Sequence, residues 1–263
     1  MKRILIIALV AVMSLSLLAG CSAAKPVYKD GTYTAYSDAN DKGDYSAVVT
    51  IKGDKITDVK VQGYTGLGQA KEASYVWAEY HQAVTDLPKR FVEKNTWDVD
   101  AVAKATATSN GAKQAVLRAM QKALVTPTTS AKYFDGTYMA MSETTDKGWT
   151  VVWVTISGDK ITKVDLHATT PAKEKDAEGN VLKGEDGKDV IKKNAAGNVV
   201  FERKDPAVYG LAAGYTAYAE AKVELPKRFV AKNGADIDVY TLATGTSNQA
   251  KEAVAKALAN AAR

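Results

Sequence analysis

The strongest constraint in this sequence is that most of its motifs occur twice. Asp30-Gly-Thr-Tyr33 returns as Asp135-Gly-Thr-Tyr138, Asp41-Lys-Gly43 as Asp146-Lys-Gly148, and Gly53-Asp-Lys-Ile-Thr57 as Gly158-Asp-Lys-Ile-Thr162, each at an offset of 105. Leu87-Pro-Lys-Arg-Phe91 returns as Leu225-Pro-Lys-Arg-Phe229 and Ala105-Thr106 as Ala243-Thr244 at an offset of 138, so the second copy holds 33 residues more than the first. Self-similarity on this scale predicts two units of one architecture, each of single-domain size. The chain divides into a leader at 1–20, a tether at 21–29, a first domain at 30–125, a linker at 126–131 and a second domain at 132–263. The extra residues fall at about 171–204, where Glu178-Gly-Asn, Glu185-Asp-Gly and Ala196-Gly-Asn alternate with short β-rich runs. That alternation predicts one or two exposed hairpins, a protrusion on the second domain.

Each copy predicts an α+β fold, a small antiparallel sheet packed with helices. Tyr45–Ile51 and Ile56–Val61 alternate apolar and polar residues around the Gly53-Asp54 turn, and Trp149–Ile156 and Ile161–Leu166 repeat the pattern around Gly158-Asp159. A helix is expected over Gln69 to Val84, with Ala70, Ala73, Trp77 and Tyr80 or His81 on one stripe. Pro88 and Pro226 are placed where one helix ends and the next begins. The final helices are the clearest elements. Ala112, Ala115, Val116, Ala119, Met120 and Ala123 recur at helical spacing, as do Ala250, Ala253, Val254, Ala257, Leu258 and Ala261. Ser109 and Ser247 are expected as their N-caps.

The stretches that open these helices are the candidate site. Asp100-Ala-Val-Ala-Lys-Ala-Thr106-Ala-Thr108-Ser109 and Asp238-Val-Tyr-Thr-Leu-Ala-Thr244-Gly-Thr246-Ser247 share an Asp, then Ala-Thr, then Thr-Ser-Asn. A helix N-terminus with free N–H groups and the positive end of its dipole favours an anion such as phosphate. The same hydroxyls serve equally well as plain helix caps, and spacing alone leaves both uses open.

The leader narrows the setting. Lys2 and Arg3 precede an apolar run from Ile4 to Leu18, shorter than the ~20 residues of a membrane-spanning helix. Leu18-Ala-Gly-Cys21 then fits a lipobox, making Cys21 the lipidation site of an extracytoplasmic, membrane-anchored protein. Cys21 is the only cysteine, which excludes disulfides, Cys-ligated iron–sulfur centres and CxxCH haem attachment. Loss of Lys2 and Arg3 lowers the net charge from +5 to +3, with lysines and acids interspersed, so nucleic acid is not an expected partner.

The Asp-Gly-Thr-Tyr segments, the Gly-Asp-Lys-Ile-Thr hairpins and the late Ala-Thr-x-Thr-Ser runs together resemble the FMN-binding domain family, over both copies. That family includes subunits of sodium-pumping redox complexes and Gram-positive flavin lipoproteins of extracellular electron transfer. The resemblance implies FMN joined by a phosphoester to Thr106 and Thr244, attached by a flavin transferase that recognises Asp100 and Asp238. Thr108, Ser109, Thr246 and Ser247 would lie around the phosphate. The chain departs from the family run where a glycine is replaced by Lys104 and by Leu242, and where Ala103 replaces a hydroxyl residue that Thr241 retains. The second copy therefore keeps slightly more of the run.

The implied role is an electron carrier between a membrane quinone or other redox partner and an external acceptor, rather than a turnover enzyme. The alternative is a flavin-free surface lipoprotein that uses the fold to bind another ligand or partner. Tyr64, Tyr75, Trp77, Tyr80 and Trp97 offer surfaces for a flavin ring, although helical spacing also suits several of them to a core. His81 and His167 do not recur at matching positions, so no metal site is expected, and no nucleophile–base pattern marks a catalytic residue.

Overall fold

The structure, a computed structural model, describes residues 25–210 and 214–263. The leader, the lipobox and Cys21 lie outside the described residues, as do residues 211–213. The fold is α+β, with two antiparallel sheets and four helices among the described residues.

Strands β1 (Gly31–Tyr36), β2 (Tyr45–Lys52) and β3 (Lys55–Gly63) form one meander. Helices α1 (Ala78–Lys94) and α2 (Thr106–Ala123) cover one of its faces. Strands β4 (Gly136–Met141), β5 (Thr150–Ser157) and β6 (Lys160–Pro171) form the second meander, extended by β7 (Phe201–Arg203) and covered by α3 (Ala217–Lys232) and α4 (Thr244–Ala261). Pairing in the second sheet follows the first residue by residue: Gly31 faces Ile51, and Gly136 faces Ile156. Even the register shift recurs, between Thr50 and Ile51 and between Thr155 and Ile156.

The local chemistry explains these elements. In the β2–β3 turn both Gly53 and Asp54 have positive φ, +56° and +62°, as a two-residue turn matching strand twist requires. Asp54 turns this to use, since its Oδ1 accepts the backbone N–H groups of Val27 and Tyr28 at 2.9 and 2.8 Å. Asp159 does the same for Lys132 and Tyr133. Alternation then sends Ala47, Val49, Ile51, Ile56 and Val59 inward against Leu87, Phe91, Ala112, Ala115 and Val116, and a second core repeats this from Tyr138 to Ala261.

Three expectations are corrected. The first helix begins at Ala78, not near Gln69, because residues 69–77 form turns in which Lys71 N–H is bonded back to Gly63 O at 2.8 Å. Pro88 and Pro226 lie inside α1 and α3 rather than between helices. Each costs a helical hydrogen bond, but the flanking Leu87 and Phe91, or Leu225 and Phe229, are fully buried and hold the helix through it. Ser109 and Ser247 are not caps: the cap positions belong to Ala105 and Ala243, which supply no side-chain oxygen.

The insert is a run of tight turns closed by single bridges at Lys175–Val181, Lys183–Asp189 and Lys193–Val199, continuing the β6–β7 ladder outward. Its base is tied into the molecule. Phe201 packs on Trp149 with ring centroids 4.7 Å apart, and Arg203 donates to Asp41 O and Gly66 O of the first half.

Candidate functional site

A turn precedes α2, closed by Ala105 N–H to Val102 O at 3.1 Å, and it places Lys104 at φ +60°. Its twin, closed by Ala243 N–H to Tyr240 O at 3.0 Å, places Leu242 at φ +64°. These are the two positions where the family run carries glycine, and the left-handed backbone is the reason a glycine suits them. Ser109 stitches the turn to the helix, accepting from Val102 N–H at 3.0 Å and donating to Ala105 O at 2.9 Å. Ser247 does the same with Tyr240 N–H and Ala243 O. Both serines are fully buried.

Thr106 and Thr244 are the first residues of their helices and both are exposed. With alanine at the cap position, the first-turn N–H groups have no side-chain acceptor. Thr108 points inward, fully buried, its Oγ1 3.0 Å from the hydroxyl of Tyr45, while Thr246 is half-buried. Asp100 and Asp238 lie on the surface. The Asp100 carboxylate pairs with Lys94 at 3.2 Å, and the Arg90 and Arg228 guanidiniums donate to the main-chain oxygens of Asp100 and Asp238. Thr106 thus lies exposed at the start of its helix, while Thr108 and Ser109 are buried and engaged with protein partners.

Beside the start of α2 lies a cavity of about 720 Å³, within the range of cofactor pockets. The helix contributes Ala107, Asn110 and Gly111; Tyr45, Tyr75, Trp77 and Trp97 supply aromatic walls; Lys42, Lys71 and Lys113 supply positive charge. Gly111 is essential to the shape, because a Cβ there would come within 2.2 Å of the Tyr45 ring. Lys71 is buried, its ammonium 5.0, 5.1 and 5.4 Å from the ring centres of Tyr45, Tyr75 and Tyr80, and burial holds its pKa below the ordinary value. Tyr80 is a core residue, 2% exposed, whose hydroxyl accepts Gly63 N–H. Behind the cavity wall Asp44 is 2% exposed, and burial pushes its carboxyl up to about 7 against the opposing pull of Lys71.

The corresponding place in the second half is filled differently. Thr150 stands where Tyr45 stands, and Gln249 where Gly111 stands, with Thr150 Oγ1 donating to Gln249 Oε1 at 3.1 Å. The side chain of Gln249 takes the room of the aromatic floor. Among the described residues the larger aromatic cavity lies in the first half, and a smaller one of about 330 Å³, lined by Tyr215, Tyr240, Thr241 and Leu242, lies beside the turn before Thr244 in the second, which keeps more of the sequence run.

Tyr45, Lys71 and Gly111 did not stand out in the sequence. Their signal was there, in the paired differences between the copies at Tyr45/Thr150 and Gly111/Gln249. Among the described residues no cluster of His, Cys, Asp and Glu is placed to hold a metal ion.

Residues 42–121 match the family model of the FMN-binding domain. The matched segment contains Tyr45, Lys71, Trp97, Thr106 and Gly111, and it marks this part of the chain as a flavin-binding domain with FMN as its cofactor. No curated protein matches the chain. Among solved structures, the CPE2226 protein from Clostridium perfringens is similar over 36% of this chain and 88% of its own, at 24% identity and a TM-score of 0.32. That likeness is too slight to carry an argument about function.

Proposed function

We propose that this protein is a membrane-anchored, extracytoplasmic flavoprotein that carries electrons, with FMN held in the first-half cavity and joined through its phosphate to Thr106. One juxtaposition carries the reading: an exposed threonine begins an uncapped helix whose next residue, Ala107, lines an aromatic, lysine-bearing cavity, inside the segment that matches the FMN-binding domain. Tyr45, Tyr75, Trp77 and Trp97 offer rings for the isoalloxazine to stack on, while the free N–H groups of the first helical turn, with Lys113, suit the phosphate. When bound, the flavin supplies the electron-accepting ring; the protein positions it, limits its contact with water and places a buried cation, Lys71, beside it. A lipid on Cys21 with a tether of eight residues would keep the folded part within ~28 Å of the membrane, suited to exchange with a quinone-linked or other membrane redox partner.

Intact-mass measurement after co-expression with a flavin transferase tests the reading. The expected product carries one FMN, lost in Thr106→Val and kept in Thr244→Val. A colourless, unmodified wild-type chain would leave a flavin-free binding protein as the better account. Radiolabelled palmitate incorporated into the wild type but not Cys21→Ala is the expected sign of the anchor.

A further inference from the structure

A second cavity, of about 420 Å³, lies between the two halves. Its walls are two tyrosine rings from the first half, Tyr36 and Tyr64, and two thioethers from the second, Met139 and Met141. The rings are tilted at 35° with centroids 6.5 Å apart. At its base is Asp44, 2% exposed; among the described residues the only hydrogen bond its carboxylate takes is from its own backbone N–H. Lys71, the cation that acts on Asp44, points its ammonium among Tyr45, Tyr75 and Tyr80 on the side of the first cavity. At the mouth, Lys256 pairs with Glu143 at 3.2 Å, and Glu252, outside the lining, lies 2.7 Å from the same ammonium, so the rim carries no surplus positive charge.

A buried carboxylate whose one donor is its own backbone N–H is costly, and it is stabilised by a cation brought within a few ångströms. Aromatic faces attract the same cation through their quadrupoles, and thioethers pack readily against an irregular apolar body. We infer that this cavity between the halves binds a small organic monocation, an ammonium group on an apolar body. The ammonium meets Asp44, and the body lies between the Tyr36/Tyr64 rings and Met139/Met141. The site is separate from the flavin cavity and stands whether or not flavin is attached.

The competing occupant is a neutral carbonyl compound, which would need Asp44 protonated as a donor. The two differ in the sign of their pH dependence. The titratable groups facing Asp44 are Lys71, Tyr36, Tyr45 and Tyr64, with Glu143 and Lys256 at the mouth. Burial keeps Tyr36 protonated to about 12, and Asp44 loses its proton at about 7. An amine therefore binds more tightly as pH rises through that range, and a carbonyl ligand less tightly.

The full chain with 13C-methyl methionine provides the test. Met139 and Met141 line the cavity, and Met120, buried in the first core, is the internal control. Benzylammonium, which stays protonated throughout, is titrated at about pH 5.5 and about pH 8. The Met139 and Met141 methyls are expected to shift and Met120 not, with affinity rising about tenfold or more at the higher pH. Benzyl alcohol, the neutral counterpart, is expected to leave them unmoved. Asp44→Asn should remove the pH dependence and weaken binding about tenfold; should that variant misfold, Glu143→Gln at the mouth is expected to weaken it a few-fold with Met120 unchanged. Unmoved methyls, an equal response to benzyl alcohol, or tighter binding of acetophenone at the lower pH would overturn the inference.

Discussion

Lys104 and Leu242 hold backbone angles of +60° and +64°, where an L side chain crowds the following carbonyl at about 1–2 kcal/mol each. For Leu242 nothing offsets that cost, since the side chain is 78% exposed and buries little. Glycine removes the strain and gives back part of the gain as extra freedom in the unfolded chain. Leu242→Gly and Lys104→Gly are each expected to raise stability by about 0.5–1 kcal/mol in urea unfolding, and a loss in both would mean that their φ values are not strained. Asp44 presents the opposite case, a native group that is costly at physiological pH. Its carboxyl titrates at about 7 when folded, against an ordinary 3.8, so between those values the folded state keeps a proton the unfolded state has lost. The folded state then binds more protons, and stability falls as pH rises through that window. Asp44→Asn cannot titrate, so its stability relative to wild type should improve by about 2–4 kcal/mol between pH 4 and pH 8, the pull of Lys71 being already contained in the raised value. A difference independent of pH would show that Asp44 ionises normally in the fold.

At the scale of elements, the two final helices are built alike and differ in what their first turns leave open. Gly111 gives the Tyr45 ring its place on α2; Gln249 fills the same place on α4 and bonds to Thr150 instead. Gly111→Gln alone is expected to cost about 2–3 kcal/mol by driving a side chain into the Tyr45 ring. Pairing it with Tyr45→Thr should recover most of that stability while abolishing FMN binding, followed by flavin fluorescence quenching. If flavin binding survives the double change, the aromatic cavity is not the flavin site. The strands and final helices were legible in the sequence because their periods of two and of three to four are enforced by burial on one face. The start of α1 was not. Residues 69–77 have helical spacing of apolar residues, yet Lys71 pairs with the end of β3 and its side chain is drawn into a ring of tyrosines, a tertiary bond that overrides local pattern. The two prolines misled for the same reason, since buried neighbours carry each helix past them. The position of Thr106 and Thr244 at the start of their helices was legible from the recurrence, whereas the cavity beside α2 was not, because it is assembled from β2, the β3–α1 connection and α2 together.

In the whole molecule the halves are joined through the sheet face that the helices leave uncovered in the second half. Strand β5 is buried on both faces, which is why it reads as the nearly unbroken apolar run Val151-Val-Trp-Val154. Trp149 and Trp153 send their indole N–H groups to Leu67 O and Asn40 O of the first half, both at 2.8 Å. The central connection is Arg118 of α2, which is 6% exposed. Its guanidinium donates to Tyr36 O and Asp38 Oδ1 within the first half and to Asp135 O of the second at 2.9 Å, and it lies 5.0 Å from the ring centre of Tyr138. Such a residue can be packed only with Gly136 opposite, where a Cβ would fall 2.0 Å from Asp38 Oδ1. Arg118→Met keeps the apolar stem but removes the donor to Asp38 Oδ1 and to two carbonyls; Asp38 is half-exposed and keeps the Gln114 amide on its other oxygen, so the loss is about 1–2 kcal/mol, set by the two buried carbonyls. Because that loss falls at the junction, its expected signature is a change in cooperativity as well as in stability. Hydrogen exchange resolved by peptide should show β1–α2 and β4–α4 opening together in the wild type and at separate free energies in the variant. Equal slowing or speeding of both halves would mean that Arg118 serves only the first core, and that the Trp149 and Trp153 contacts suffice to hold the halves as one cooperative unit.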